Sequence, residues 1–319
     1  MTATVLARRA SAILFGVLQS RSLEGPILLP ANVCAVVPIT IRETGRQFEL
    51  IDIDPHSLAI SPGRTLERVR RGRCAGIIFV RPYGSLRDAD SLFAELKALQ
   101  PDLLVLDDRC LSRPDCDPRS VSPHADVTLF STGRAKYADL GSGGFAHLRD
   151  DVPWRRPAGA FDPAAADAVE RLPKDALARG ACFGGAPPGW LDLREPELTW
   201  DPYRARVEAE LLRVDAMKER MNAIYRAEIP EEVQLPPDLC TWRFNLRVPR
   251  AEELLRTIFA QGLFASRHFP PVGPLFGDER AYPAAAALHA EIVNLFNDRY
   301  FDEEKALRAA RLVREHLGR

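Results

Sequence analysis

With 319 residues the chain is long enough for a large core and for more than one ordinary domain. Hydrophobic residues at 46% and charged residues at 27% are the balance of a soluble globular protein, and a net charge of −1 offers no broad field to attract nucleic acid or an anionic membrane. Only five of the 43 basic residues are lysines (Lys97, Lys136, Lys174, Lys218 and Lys305), so a lysine in an unusual place is informative. The six cysteines form no C-x-x-C pair and lie far in sequence from the histidines. That argues against a metal site or a disulfide framework, and for a reducing cytoplasm. No apolar run reaches the roughly 18 residues of a membrane span.

In chain order, Leu6, Ile13, Leu14, Val17 and Leu18 recur at helical spacing around Arg8-Arg9, and no A-x-A-like site follows. This predicts a folded helix rather than a leader. From Gly25 to Leu148, six short apolar runs read as strands: Pro26–Leu29, Phe48–Ile51, Ala75–Val80, Leu103–Leu106, Val127–Phe130 and Gly144–Leu148. They are nearly continuous in apolar residues, as strands covered on both faces are. Amphipathic stretches such as Thr65–Arg71 and Asp88–Leu99 lie between them, so the predicted class is α/β with a mostly parallel central sheet and helices on both faces. Residues 150–200 read as irregular, with one helix near Pro163–Arg171. A long amphipathic helix is predicted from about Arg204 to Glu228. Beyond it, Cys240–Val248 alternates as a half-buried strand, Leu263–Ser266 is a short strand, and Ala251–Gln261, Pro283–Phe296 and Asp302–Leu317 read as helices. The expected division is a large domain over 1–205 and a smaller α+β domain over 206–319.

In a parallel α/β sheet, ligands collect beyond the carboxyl ends of the strands. Tyr83-Gly84, Asp107-Asp108 and Ser131 fall at such ends, with Lys136 five residues after Ser131. Pyridoxal 5′-phosphate (PLP) chemistry needs these types of group. A lysine forms the Schiff base and later moves the substrate proton. A carboxylate keeps the pyridine nitrogen protonated. Hydroxyls and helix-start amides hold the phosphate. Lys136, Asp108 and Ser131 supply one of each of the first three, and Ser11 and Ala12 could supply the amides. Singly, each has a plain reading, because an acidic pair after a strand is often a cap and a loop lysine is usually solvated; the weight lies in the combination. Two other patterns fail. Gly141-Ser-Gly-Gly-Phe-Ala146 matches G-x-G-x-x-A but precedes a strand, and Gly133-Arg-Ala-Lys136 lacks P-loop spacing.

The stretch from Asp126 to Gly144, with Ser131, Lys136 and Gly143-Gly144 in fixed spacing, resembles the cofactor-lysine segment of the DegT/DnrJ/StrS family, sugar aminotransferases of PLP fold type I. Pro30–Cys34, Gly45–Asp54, Val80–Gly84 and Leu106–Asp108 resemble upstream family blocks. Leu212–Tyr225 and Gly262–Pro271 resemble downstream ones. The resemblance implies that Lys136 forms the Schiff base, Asp108 pairs with the pyridine nitrogen, Ser131 with the Ser11-Ala12 amides holds the phosphate, and His268 approaches the substrate. It also implies a homodimer. The chain departs from the pattern at Arg9, where a glycine is usual, at Asn32–Cys34, which lacks a ring-stacking aromatic, and at Leu111, where a polar residue is common. Pro202-Tyr-Arg204 only partly echoes a phosphate-binding block that the family draws from the partner subunit.

The expected activity is transfer of an amino group from glutamate or glutamine to a keto-sugar carried on a nucleotide; the retained Lys136 favours transamination over the related sugar dehydratases, which resemble this family but replace the lysine with histidine. For a nucleotide-linked sugar, Arg267, His268 and Arg81 are the expected contacts, since an arginine fork suits a pyrophosphate. The alternatives are PLP chemistry on another amine acceptor and a non-catalytic relative acting as a binding or assembly subunit.

Overall fold

Apolar runs of four or five residues become the strands of one seven-stranded sheet, in a computed structural model that describes residues 3–22 and 24–318. In chain order the large sheet and its helices are β1 (Ala3–Ala7), α1 (Ala10–Gln19), β2 (Ile27–Pro30), α2 (Val36–Glu43), β3 (Phe48–Ile51), α3 (Pro62–Arg71), β4 (Gly76–Val80), α4 (Asp90–Leu99), β5 (Leu104–Asp108), β6 (Val127–Ser131) and β7 (Gly144–Leu148). The spatial order is β1-β7-β6-β5-β4-β2-β3. Only β7 runs against the rest, pairing antiparallel with both β6 and β1. Because β2 lies between β3 and β4, the strand order reverses there, and a crevice forms beyond the carboxyl ends.

Side-chain alternation assigns the two faces. Leu104, Leu106, Val127, Leu129, Ile27, Leu29 and Ile78 pack with α1 and α2. Leu103, Val105, Ile77, Phe79 and Leu28 pack with α3 and α4. Both sets are buried, which is why these strands read as continuous apolar runs rather than as alternating ones.

α5 (Pro163–Ala178) precedes α6 (Trp200–Glu228), a 29-residue helix with two jobs. Its first half puts Tyr203, Val207, Leu211 and Val214 against Leu6, Phe130 and Phe145 of the large sheet. Its second half puts Met221 and Tyr225 into a separate core with α7 (Ala251–Ala260) and α9 (Glu303–His316). That core includes the small antiparallel sheet β8 (Phe244–Arg247), β9 (Ala265–Ser266) and β10 (Ile292–Leu295), in the order β8-β10-β9. α8 (Pro283–Glu291) returns to the large sheet: Asp52, just after β3, accepts hydrogen bonds from the Ala284 and Ala285 N–H groups, both at 3.0 Å, and so caps the helix.

Several expected elements are corrected. Leu6 belongs to β1, not to the first helix, which starts only at Ala10 after an extended Arg9. α2 reads poorly as a helix because Val36, Val37, Ile39, Thr40 and Ile41 are β-branched and Pro38 lies among them, although the first turn tolerates proline. The stretch 283–296 is not one helix. α8 ends at Glu291, and Ile292–Leu295, fully buried, continues as the middle strand of the small sheet. α5 runs on past Arg171 to Ala178.

Candidate active site

β5 ends in two acids that alternation sends to opposite faces. Asp107 pairs in register with Phe79, and Arg81, two residues on, lies on the same face. There the Arg81 guanidinium donates to both Asp107 oxygens, at 2.7 and 3.0 Å, and Arg109 Nε donates to Asp107 Oδ2 at 2.7 Å. Arg81 also reaches the Arg87 carbonyl and lies over the Phe79 ring at 5.0 Å. Asp107 is thus fully buried and shared between two arginines. Arg81, expected from the sequence at a substrate phosphate, is held in this buried ion pair on the α3–α4 face.

Asp108 points to the α1 face, in register with Leu129 on β6. One oxygen accepts a hydrogen bond from the Cys110 N–H at 2.9 Å. Burial raises the Asp108 pKa, opposed by the Cys110 hydrogen bonds and by the nearby positive charge of Lys136. Burial also keeps the Cys110 thiol protonated, reinforced by the Asp108 charge. Ser131, two residues beyond Leu129 on β6, lies on the same face, with its Oγ accepting from the Gly133 N–H at 3.3 Å.

Lys136 is half-buried, in the loop between β6 and β7. Its Nζ makes no hydrogen bond or ion pair among the described residues, whereas its charge is felt by Asp108, Cys110 and His268. α1 starts beside this loop: Gly143 N–H donates to the Arg8 carbonyl at 2.7 Å, and Arg9 bridges Gly143. Glycine is required at 143 and 144, where a Cβ would come within 2.6 Å of Thr132 and Tyr203 in one case and of the Ala10 backbone in the other. The first turn of α1, which contains Ser11 and Ala12, has neither a capping side chain nor an acidic residue; its positive end faces an anion favourably, although the Ala12 N–H already donates to the Arg9 carbonyl at 3.1 Å.

The third wall comes from the C-terminal part of the chain. His268 Nδ1 lies 2.9 Å from Ser266 Oγ, and its ring meets the Trp242 ring edge-on at 5.4 Å. Tyr83, three residues beyond β4, donates to the His268 carbonyl at 2.7 Å. Burial pushes the His268 pKa down to about 3, helped by the positive charges of Arg243, Lys174 and Lys136. Arg267 turns the other way: it pairs with Glu252 on α7 and donates to the His289 carbonyl at 3.2 Å. Tyr203 is turned into its own chain, 2.5 Å from Thr132 Oγ1, and is buried.

Two residues at this wall were not singled out from the sequence as parts of a site. Trp242 Nε1 donates to the Ala135 carbonyl at 2.8 Å, next to Lys136. Lys218, on α6 and only 3% exposed, donates to the Trp242 carbonyl at 2.6 Å and to Asn297 Oδ1 at 2.8 Å. The scarcity of lysine in the sequence was the one signal that pointed to Lys218.

A seven-stranded, mostly parallel sheet with this strand order, flanked by helices and followed by a smaller α+β unit, is the architecture of PLP-dependent aminotransferases of fold type I. The sugar aminotransferase CalS13 from Micromonospora echinospora superposes with a TM-score of 0.69 at 17% identity, covering 98% of this chain and 87% of its own. A DegT DnrJ EryC1 StrS aminotransferase from Brucella abortus gives 0.68 at 17% identity, over 99% and 86% of the two chains. DesI, solved in the presence of its TDP-sugar product, gives 0.71 at 20% identity, over 99% and 81%. At these identities the likeness is one of fold. No protein-family model and no curated protein sequence matches the chain.

The residues present fit PLP. Lys136 offers an amine without a polar partner among the described residues, Asp108 a buried carboxylate on which that amine's charge acts, and Ser131 with the uncapped start of α1 a hydroxyl and amides for a phosphate. The ring would find no aromatic at Asn32–Cys34.

Proposed function

We propose that the chain is a PLP-dependent aminotransferase that transfers an amino group from glutamate or glutamine to a keto-sugar carried on a nucleotide. The observation that carries the reading is that Lys136, whose amine has no polar partner among the described residues, stands close enough to the buried Asp108 for its charge to act on that carboxyl. When bound, the cofactor supplies an electron sink for the charge left behind by proton removal. Lys136 would hold the cofactor aldehyde covalently and, once displaced by the amino donor, take a proton from the substrate carbon and return it at Nζ. Asp108 would accept a hydrogen bond from the ring nitrogen and keep its proton in place. Ser131 and the amides of Ser11 and Ala12 would hold the phosphate. His268, uncharged at neutral pH, would meet the substrate as a neutral hydrogen-bonding group. With Arg81 and Arg267 committed elsewhere, Lys174 is the cation we assign to the substrate phosphates: it is exposed, lies close enough for its charge to act on His268, and has no ion-pair partner among the described residues. The fold likeness to DesI, whose structure contains a TDP-sugar, supports the substrate class.

A homodimer belongs to the same reading. Leu212 is 82% exposed on α6, and Phe259 and Phe264 form an exposed ring pair at 6.2 Å, apolar surface that a two-fold partner would cover.

The test is an absorbance scan after mixing with PLP, followed by borohydride reduction and peptide mapping. The cofactor should be fixed on Lys136, and Lys136→Ala should take up none covalently while staying folded. A label on another lysine would overturn the site. With glutamate as donor, a panel of nucleotide keto-sugars and simple keto acids then tests the substrate. Turnover confined to small keto acids would remove the sugar and keep the cofactor. A wild-type protein that takes up no PLP would favour the non-catalytic binding subunit, which Leu111, buried three residues after Asp108, and the lack of an aromatic at Asn32–Cys34 support.

A further inference from the structure

Both neighbours of Lys136 are gripped by residues far along the chain. Ala135 has φ +60°, a left-handed conformation that an alanine adopts only when its surroundings enforce it. Its N–H donates to Asp139 Oδ2 at 2.9 Å, and its carbonyl accepts from Trp242 Nε1 at 2.8 Å. On the other side, the Tyr137 hydroxyl donates to Asp215 Oδ1 at 2.8 Å, and its ring lies 4.9 Å from Lys218 Nζ. Lys218 closes the circuit by donating to the carbonyl of Trp242. The path from Ala135 to Trp242, from Trp242 to Lys218, from Lys218 to Tyr137 and back to Lys136 is unbroken.

A lysine is an expensive choice for that place. A buried amine loses its hydration, and an apolar side chain of similar length would fill the space without that cost. Here the amine spends two hydrogen bonds and one ring contact, and two of these three contacts fall on Trp242 and Tyr137, the residues that set the peptides flanking Lys136. The third, to Asn297, continues through Asn222 to the Cys240 carbonyl, which anchors the segment leading into Trp242.

We propose that Trp242 and Lys218 are positioning residues for Lys136: the indole N–H fixes the peptide joining Ala135 to Lys136, and Lys218 fixes the Trp242 backbone and the Tyr137 ring that hold it. Their catalytic consequence rests on the reading of Lys136 as the cofactor lysine. The positioning itself is a property of the protein without cofactor and is read there.

The variants are Trp242→Phe, which deletes one N–H and keeps an aromatic ring, Lys218→Met, and the pair combined. Each apoprotein is reductively methylated with formaldehyde and cyanoborohydride from neutral to alkaline pH. Mass spectrometry follows the rate at Lys136, with Lys97, Lys174 and Lys305 as references, and circular dichroism verifies the fold. Separately, covalent PLP capture is timed by borohydride trapping. The pH profile of labelling at Lys136 should shift in each single variant while the reference lysines do not change. Capture should slow by about tenfold, the worth of one hydrogen bond. The double variant should be worse than Trp242→Phe alone by less than the full Lys218→Met effect, because Lys218 acts in part through Trp242 and in part through the Tyr137 ring. A Lys136 profile in Trp242→Phe that superposes on wild type overturns the proposal, and effects that multiply in the double variant overturn the path through Trp242. If Lys218→Met does not fold, Trp242→Phe decides. Shifted labelling in a protein whose wild type never captures PLP would sink the cofactor reading and leave the positioning intact; prompt capture at an unchanged rate in every variant would do the reverse.

Discussion

Asp107 and Asp108 are consecutive on one strand, yet they meet opposite electrostatic fates. On the α3–α4 face, Asp107 is shared by Arg81 and Arg109, and its donors and acceptors are matched within the chain. On the α1 face, among the described residues, the Asp108 carboxyl is met only by Cys110, through its backbone N–H and its thiol, and Lys136, whose charge acts on it, contacts no polar group. A chain that folds for stability saturates its buried charges; where it leaves them part-satisfied, a ligand is expected to complete them. The same contrast separates Lys218, which has its own acceptors, from Lys136.

The comparison is broken most readily at Asp107. Asp107→Asn leaves two guanidinium groups facing a neutral amide in a buried setting, and removing one partner of such a cluster costs about 3–5 kcal/mol. A loss of that size in a chemical melt is the expected result, with the remaining folded protein still capturing PLP. A melt within experimental error of wild type would mean that the two faces are not different in kind.

Asp108→Asn probes the other face. The variant should fold and melt near wild type, bind the cofactor, and remove the substrate proton on the order of 100-fold more slowly, the worth of a hydrogen bond to a charged group. Single-turnover kinetics measure this step. Equal slowing in Asp107→Asn would show that the wrong acid was assigned to the ring nitrogen.

Lys218 sharpens the contrast between the lysines through pH. Burial holds its pKa down to about 7 from 10.5. Above the folded value and below the unfolded one, the unfolded chain carries a proton that the folded chain has released, so stability rises with pH. The slope is up to about 1.4 kcal/mol per pH unit, and below pH ~7 this group contributes none. The buried thiols act in the opposite sense, but only above their ordinary value of 9.0. Melts between about pH 7 and 8.5 should therefore show a rise in wild type that Lys218→Met loses. The rise surviving in the variant would assign it to another group.

The strands β2 to β7 were legible because burial on both faces writes an uninterrupted apolar run, and Lys136, Asp108 and Ser131 were legible because each sits at a fixed distance from such a run. β1 and β10 were not. Each is a short apolar strand that abuts a helix, so its residues extend the helical pattern instead of interrupting it. Alternation tells that Asp107 and Asp108 face opposite ways but not which face carries α1, since that depends on the handedness of crossovers far along the chain. Nor can spacing show that Trp242 reaches Ala135, 107 residues away. The arginines are ambiguous for a related reason: in a chain that uses arginine for nearly all its positive charge, residue type does not separate a substrate cation from one end of an ion pair.

Arg267 carries the smallest expected effect and tests that last point. It lies next to His268, but its guanidinium faces Glu252 and the His289 carbonyl. Glu252 is 64% exposed, so solvent screens the pair, and Arg267→Ala should cost about 0–1 kcal/mol of stability. It should leave cofactor capture and the KM for any accepted keto-substrate unchanged. Lys174→Ala should instead raise that KM several-fold, because a cation whose charge reaches His268, and which has no ion-pair partner among the described residues, can answer an anionic substrate without first breaking a bond to its own chain. Steady-state kinetics on the two variants, side by side, separate the assignments. A raised KM in Arg267→Ala with none in Lys174→Ala would show that the Glu252 pair opens when substrate binds, and that a charge saturated in the free protein is not thereby excluded from the site.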